Sequence, residues 1–116
     1  MSGKGVVGQF EEAIEYLNKY SLKDEVLAPQ ARGLIGDAKV ELGDFAAGIK
    51  YYLEAATMAD NDFHSPIYLM KAGMLHESQG NHAEALKLYE QIQEKYPESN
   101  EGRSIDKYIA RVKLHI

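Results

Sequence analysis

The amino-acid sequence carries a pattern that returns after 37 residues, and this repeat constrains the fold more than any other feature. Five positions recur as the same or a similar residue: Pro29, Gly36, Gly43, Ile49 and Tyr52 return as Pro66, Gly73, Gly80, Leu86 and Tyr89. A partial earlier copy opens with Gly8-Gln9-Phe10, 35 residues before Gly43-Asp44-Phe45. Periods of this length indicate stacked supersecondary units that bury each other's hydrophobic faces. The chain is therefore predicted to be a repeat protein.

Hydrophobic residues within each copy follow the spacing of a helix. In the partial copy they lie at Phe10, Ala13, Ile14, Leu17 and Tyr20, and similar spacing continues through residues 81–96. Spacings of three and four residues predict amphipathic helices. No segment alternates with the period of two that a half-buried strand requires. We therefore expect an all-α fold.

Two short glycine turns predict that the helices are paired. Gly43-Asp44 and Gly80-Asn81 are typical of a helix that ends in glycine, followed by a helix whose first amides are capped by a side chain. So short a turn makes the helices on either side antiparallel neighbours. The partner helices are expected at roughly 28–42 and 65–79.

The expected organisation is one helical domain over residues 1–116, an α-solenoid of antiparallel helix pairs. It comprises about two and a half repeats and an end helix: 8–21 as an orphan second helix, 28–58 and 65–97 as full repeats, and 99–114 as the end helix. Pro97 marks one boundary because proline disfavours the helical conformation in the residue before it. Gly36 and Gly73 fall inside first helices, where glycine costs about 1 kcal/mol relative to alanine. Close packing against the second helix is the expected reason for them.

Composition and charge exclude several classes of function. The 116 residues are 45% hydrophobic and 27% charged, which is typical of a folded soluble protein. The net charge of -5 disfavours nucleic acid as a partner, since that binding depends on clustered Lys and Arg. The absence of cysteine excludes thiolate metal sites and cysteine nucleophiles. No apolar run approaches the about 18 residues of a membrane-spanning helix.

Motifs that would indicate catalysis or a bound metal are missing. There is no glycine-rich phosphate loop, no serine elbow and no nucleophile paired with a base, so we expect a protein that is not an enzyme and uses no cofactor. His64, His76 and His82 lack the spacing of zinc ligands on one helix. Asp60-Asn61-Asp62 lacks the glycine and distal glutamate of a calcium loop, and a solvated loop with capping side chains is expected instead.

A basic stripe on the last helix leaves two interpretations open. Arg103, Lys107 and Arg111 follow one another at intervals of four residues. Cations are favoured near the C-terminal end of a helix, so a solvated face explains most of the stripe. The alternative interpretation is a docking patch for an acidic partner.

Taken together, these features resemble the tetratricopeptide repeat family, whose unit is a helix-turn-helix of about 34 residues. In this resemblance Gly36 and Gly73 take the small position of the first helix, while Tyr52 and Tyr89 take the aromatic position of the second. The similarity covers roughly residues 8–97. It implies a surface that binds a protein or peptide ligand.

The resemblance also implies that the first helices line a concave groove. It places the following residues there: Gln30, Gly33, Asp37, Val40, Glu41, Ile67, Met70, Met74, Glu77 and Ser78. Such a groove, part acidic and part apolar, suits a helix or an extended peptide. A second interpretation is that Met70 and Met74 simply pack against a neighbouring helix. Family members that grip a C-terminal carboxylate use a lysine and an asparagine where this chain has Gly33 and Asp37, so that clamp is not expected.

Two functional hypotheses follow, a binding module and a self-associating assembly subunit. The second arises because the helix at 9–20 has only a short leader before it, so its apolar face is available to another chain as a homo-oligomer contact. The segment Tyr96-Pro97-Glu98-Ser99 and the helix after it are similar to bacterial cell-envelope members of the family. That similarity implies a fragment of a longer, anchored protein, with this portion in the cytoplasm or the periplasm and not itself inserted in a membrane.

Overall fold

The computed structural model describes residues 5–24 and 27–116, and all its regular elements are helices. They are α1 (Gly5–Tyr16), which continues as a π-helical turn (Leu17–Ser21), α2 (Ala28–Glu41), α3 (Phe45–Ala59), α4 (Ser65–Ser78), α5 (His82–Lys95) and α6 (Asn100–Lys113). No strand occurs in these described ranges. The prediction of an all-α fold built from helical hairpins is confirmed.

The same backbone motif turns the chain between α2 and α3 and between α4 and α5. Gly43 and Gly80 have positive φ angles of 82° and 80°, a conformation that is strained for any residue with a Cβ. The amide of Asp44 then donates to the carbonyl of Lys39 at 2.8 Å, and that of Asn81 donates to the carbonyl of His76 at 2.9 Å. These bonds satisfy carbonyls that the end of a helix leaves without intrahelical partners.

The two predicted capping side chains behave differently. Asp44 Oδ1 accepts the amide of Ala47 at 3.2 Å, as expected for the first turn of α3. The expectation for Asn81 is wrong, because its side chain makes no capping hydrogen bond. The helix begins there through the backbone alone, since the Asn81 carbonyl accepts the amide of Ala85 at 3.0 Å.

The loop before α4 contains a capping side chain, as the sequence predicted for the segment Asp60-Asn61-Asp62. Asn61 Oδ1 accepts the amides of Phe63 and His64 at 3.0 and 2.8 Å. Ser65 Oγ accepts the amide of Asn61 at 3.1 Å, so the loop and the first turn of α4 stabilise each other. The loop is a helix-capping segment of the kind expected.

The chain divides into two compact units, the first ending at Met58 and the second beginning at Ala59. In the first unit the buried apolar side chains come from α2 and α3, and α1 contributes none of them. In the second unit the buried side chains come from α4, α5 and α6, with Tyr89, Ile92, Ile105 and Val112 fully enclosed.

Glycine and tyrosine pack against each other in the same way in both hairpins. A Cβ added to Gly36 would lie 2.7 Å from Cε1 of Tyr52, and one added to Gly73 would lie 2.6 Å from Cε1 of Tyr89. Each tyrosine ring therefore occupies the space that a side chain on the first helix would need. The mid-helix glycines serve the close packing that the sequence predicted.

Candidate protein-binding surfaces

The residues predicted to line a groove lie on α2 in the first unit and on α4 in the second. On α2, Glu41 is exposed, whereas Gln30, Asp37 and Val40 are half-buried. The helix buries a different set, which includes Ala31, Ile35 and Ala38, against the rest of its unit. Gly33, which the resemblance also placed in the groove, is buried with them, so predicted groove residues and core residues overlap at this position.

Asp37 makes a contact that sequence spacing did not reveal. The Tyr52 hydroxyl donates to Asp37 Oδ1 at 2.5 Å. Burial of the phenol, followed by this hydrogen bond to a carboxylate, raises the pKa of Tyr52 above its usual value. Tyr52 therefore stays protonated and donates, and one oxygen of Asp37 helps to hold the hairpin together.

On α4 the apolar members of the predicted set are not part of the core. Ile67 is 39% exposed and Met74 is 47% exposed, while Met70 between them is half-buried. The helix instead buries Tyr68, Leu69, Ala72 and Gly73. Ile67, Met70 and Met74 follow one another at spacings of three and four, so they form one row on the outer face of α4. We call these three residues the α4 row.

The N-terminal end of the α4 row meets a shallow cavity that sequence reasoning missed. The cavity has a volume of about 240 Å³, and Phe63 and Ile67 line it together with Glu98, Asn100 and Glu101. Phe63, four residues before Ile67, is 83% exposed. A large aromatic residue in a polar loop was the available signal in the sequence, since loops are normally polar and exposed.

An ion pair lies just beyond the C-terminal end of the α4 row. Glu77 accepts hydrogen bonds from Arg111 Nε at 2.6 Å and from Arg111 Nη2 at 2.8 Å, and a third from the Tyr89 hydroxyl at 2.7 Å. The Arg111 hydrogen bonds are the main reason that the pKa of Glu77 is lowered, and the same pairing raises the pKa of Arg111. Glu77 is therefore held as a carboxylate.

This ion pair changes the interpretation of the basic stripe on α6. Arg111 is bonded to Glu77, 34 residues away along the chain, and its guanidinium lies 4.8 Å from the ring centroid of Tyr108. Lys107 Nζ lies 5.3 Å from the same centroid. Only the fold could show this, because nothing in the spacing of Arg103, Lys107 and Arg111 distinguishes a paired arginine from a solvated one. Arg111 helps to dock α6 onto α4.

The histidines fall into different surroundings. The rings of His82 and His115 stack with centroids 4.4 Å apart and planes 15° apart. His64 lies in the loop before α4. Within residues 5–24 and 27–116, no three His, Asp or Glu side chains come together in a way that could hold a metal ion.

A second surface, which the sequence did not predict, lies on α3. An open groove of about 710 Å³ is lined by Arg32, Ala46, Ile49, Lys50, Leu53, Glu54, Thr57 and Met58. Arg32 Nε lies 3.5 Å from Glu54 Oε2. Helix α3 is mostly apolar in composition, and this composition was the signal that it has more than one apolar face to cover.

None of the helices in the described part of the chain is both long and apolar enough to cross a lipid bilayer.

Helical hairpins with equivalent glycine–tyrosine contacts and identical glycine turns define an α-helical repeat protein. The chain belongs to the tetratricopeptide repeat family, whose model matches it twice, over residues 6–63 and 34–100. The family predicted from the sequence is confirmed. Comparison with curated proteins and with solved structures gave no match. Repeats of this family generally mediate protein–protein interaction.

Proposed function

We propose that this protein is a non-enzymatic scaffold that binds a protein or peptide ligand through the outer faces of its first helices. The observation that carries the proposal is the α4 row, a line of large apolar side chains outside the buried core of their unit, with Ile67 and Met74 exposed and Met70 half-buried. Apolar patches that a fold does not need for its own core commonly mark interaction sites.

The chemistry of the α4 row favours a ligand with apolar anchors. Methionine side chains adapt to ligands of varied shape because they are unbranched and polarisable. Glu77 and Arg111 largely balance each other's charge at one end, so apolar burial is expected to supply most of the affinity. A helix or an extended segment with apolar residues at regular spacing would fit the row.

The predicted residues on α2 form the second part of this proposal. Val40 and Glu41 lie at the C-terminal end of α2, next to the turn, and Gln30 lies at its start. These α2 residues are proposed as a separate surface of the first unit, suited to polar contacts with a ligand.

A direct test uses peptides selected for binding to the wild-type protein from a random library, with affinity measured by fluorescence anisotropy. Met74→Glu, and more strongly Met70→Glu with Met74→Glu, should weaken binding at least about tenfold, since a charge would be buried against apolar groups. Met58→Glu is the matched control, because Met58 is 45% exposed and lies on α3. If Met58→Glu is the one variant that loses binding, the ligand binds in the groove on α3 and the proposal is wrong.

A self-associating assembly subunit of a bacterial envelope complex remains the second candidate function. It is favoured by the apolar residues that α1 exposes, with Val6 64% and Tyr16 61% accessible.

A further inference from the structure

The shallow cavity at the N-terminal end of the α4 row combines apolar and acidic side chains. Its apolar part is formed by Phe63 and Ile67, and its acidic part by Asp62, Glu98 and Glu101. None of the residues that line it in the described part of the chain is basic. The cavity is therefore complementary to a group that is both apolar and cationic.

The three carboxylates of the cavity are accessible to a ligand. Asp62 and Glu98 are exposed, and Glu101 is half-buried. Among residues 5–24 and 27–116, no hydrogen bond or ion pair holds any of these carboxylates. The Ser99 hydroxyl, which also lines the cavity, already donates to the Tyr96 carbonyl at 2.7 Å. The polar groups that the cavity offers to a ligand are thus mainly acidic.

The start of α6 accounts for part of this acidity. Glu98 and Glu101 lie close to it, and negative charge is favoured near the N-terminal end of a helix. Helix α6 does not account for Phe63, whose side chain is 83% exposed, or for Ile67, which is 39% exposed. An exposed aromatic ring beside carboxylates matches lysine and arginine side chains, which combine an apolar stem with a charged end.

We propose that this cavity binds one lysine or arginine side chain of the peptide ligand of the α4 row. The stem of that side chain packs on Phe63 and Ile67, and its cationic end pairs with the carboxylates. The volume of about 240 Å³ lies below the range of about 300–1,000 Å³ for small-molecule pockets, in keeping with a single side chain. The inference rests on the proposed function, because Ile67 belongs both to the α4 row and to the cavity.

The charges at the two ends of the α4 row give the ligand a direction. Beyond the C-terminal end, Glu77 accepts two hydrogen bonds from Arg111, so its charge is largely balanced. At the N-terminal end the cavity presents three carboxylates. The row from Ile67 to Met74 covers about 10 Å at 1.5 Å per residue. The basic residue is therefore expected at one end of the apolar run of the ligand and not at the other.

The sequences of the peptides selected on the wild-type protein provide the first test. Lysine or arginine should be enriched at one end of their apolar anchors. Peptides that bind the α4 row but have no basic residue at a fixed end would overturn this inference and leave the proposed function intact.

Substitutions in the cavity provide the second test, with a selected peptide that carries the basic residue. Glu98→Gln combined with Glu101→Gln should weaken binding about fivefold in fluorescence anisotropy, because two carboxylates that face the cation are neutralised. The matched control is Glu90→Gln combined with Glu94→Gln, which makes the same change in net charge at exposed positions of α5. Phe63→Leu, which keeps an apolar side chain but removes the ring, should weaken binding about threefold.

A second peptide, with its basic residue replaced by glutamine, completes a double-mutant cycle. The Glu98→Gln, Glu101→Gln variant should bind this peptide as tightly as the wild type does. Equal weakening for both peptides would show that the carboxylates act without the cation, and the inference would be wrong. Circular dichroism spectra establish that each variant keeps its helical content.

The variants of the α4 row separate this inference from the proposed function. If Met70→Glu with Met74→Glu weakens binding and the glutamine variant does not, the inference alone is wrong. If the methionine variant binds as the wild type does, the proposed function is wrong and this inference falls with it.

Discussion

Replacing Gly73 with alanine tests the packing on which the repeat architecture depends. In an exposed helix this change would stabilise the protein by about 1 kcal/mol through helix propensity. Here the new Cβ would lie 2.6 Å from Tyr89 Cε1 and 3.1 Å from Cδ1, so the ring would have to move by about 1 Å to restore ordinary carbon–carbon contact.

The Tyr89 ring has little freedom to make that movement. It is fully buried, and its hydroxyl donates at 2.7 Å to a carboxylate that Arg111 also holds. Overpacking at such a site costs about 1–3 kcal/mol, and a weakened hydrogen bond adds about 1 kcal/mol. After subtraction of the propensity gain, Gly73→Ala should destabilise the protein by about 1–3 kcal/mol.

Thermal and urea denaturation monitored by circular dichroism measure this effect. Each lost kcal/mol should lower the melting temperature by about 4–8 °C. Gly36→Ala is the matched variant in the other hairpin, where the added Cβ would lie 2.7 Å from Tyr52 Cε1. A higher melting temperature for Gly73→Ala would show that the ring yields easily, which would refute the reasoning.

A double-mutant cycle separates crowding from other causes. Tyr89→Leu alone should destabilise the protein, because it leaves a cavity and removes a hydrogen bond to Glu77. Combined with Gly73→Ala, it should cost less than the sum of the two single changes, since the alanine then occupies space that the tyrosine ring filled. Strict additivity would contradict direct steric contact.

Three further predictions concern the other polar contacts. Asp44→Ala should cost about 1 kcal/mol of stability because a capping hydrogen bond is lost. Asn81→Ala should cost less, since the Asn81 side chain makes no capping hydrogen bond. Urea titrations of the two variants provide the comparison. The folded-state pKa of Glu77 is lowered, so the wild type should be more stable than Glu77→Gln. This advantage should be complete above the usual pKa of a glutamate and should decline as the pH falls toward the lowered pKa. Unfolding measured from pH 7 to pH 3 would show the decline. Arg111→Met should cost about 1 kcal/mol, because the guanidinium is partly exposed, and should raise the pKa of Glu77, which carboxyl carbon chemical shifts would report.

The sequence placed Ile67, Met70 and Met74 on the first helix of a repeat, and their use as a binding surface stays a prediction. The sequence could not show that Glu77 accepts hydrogen bonds from Arg111 and Tyr89. The contact with Arg111 spans 34 residues and depends on how α6 packs against α4. The cavity beside Phe63 and the groove on α3 were also missed. Both are formed by side chains that come together only after the helices have packed.

The sequence by itself determined the helices, their pairing and the family. These depend on the local spacing of apolar residues and on glycines at positions that a residue with a Cβ would occupy only with strain. Gly43 and Gly80 carry the positive φ angles that end each first helix, and Gly36 and Gly73 recur where a tyrosine ring must fit. Tertiary structure alone decided which carboxylates are held by hydrogen bonds and which apolar residues stay exposed. These properties depend on distances between helices that are remote in sequence, and residues with the same periodicity become core or surface according to what packs against them.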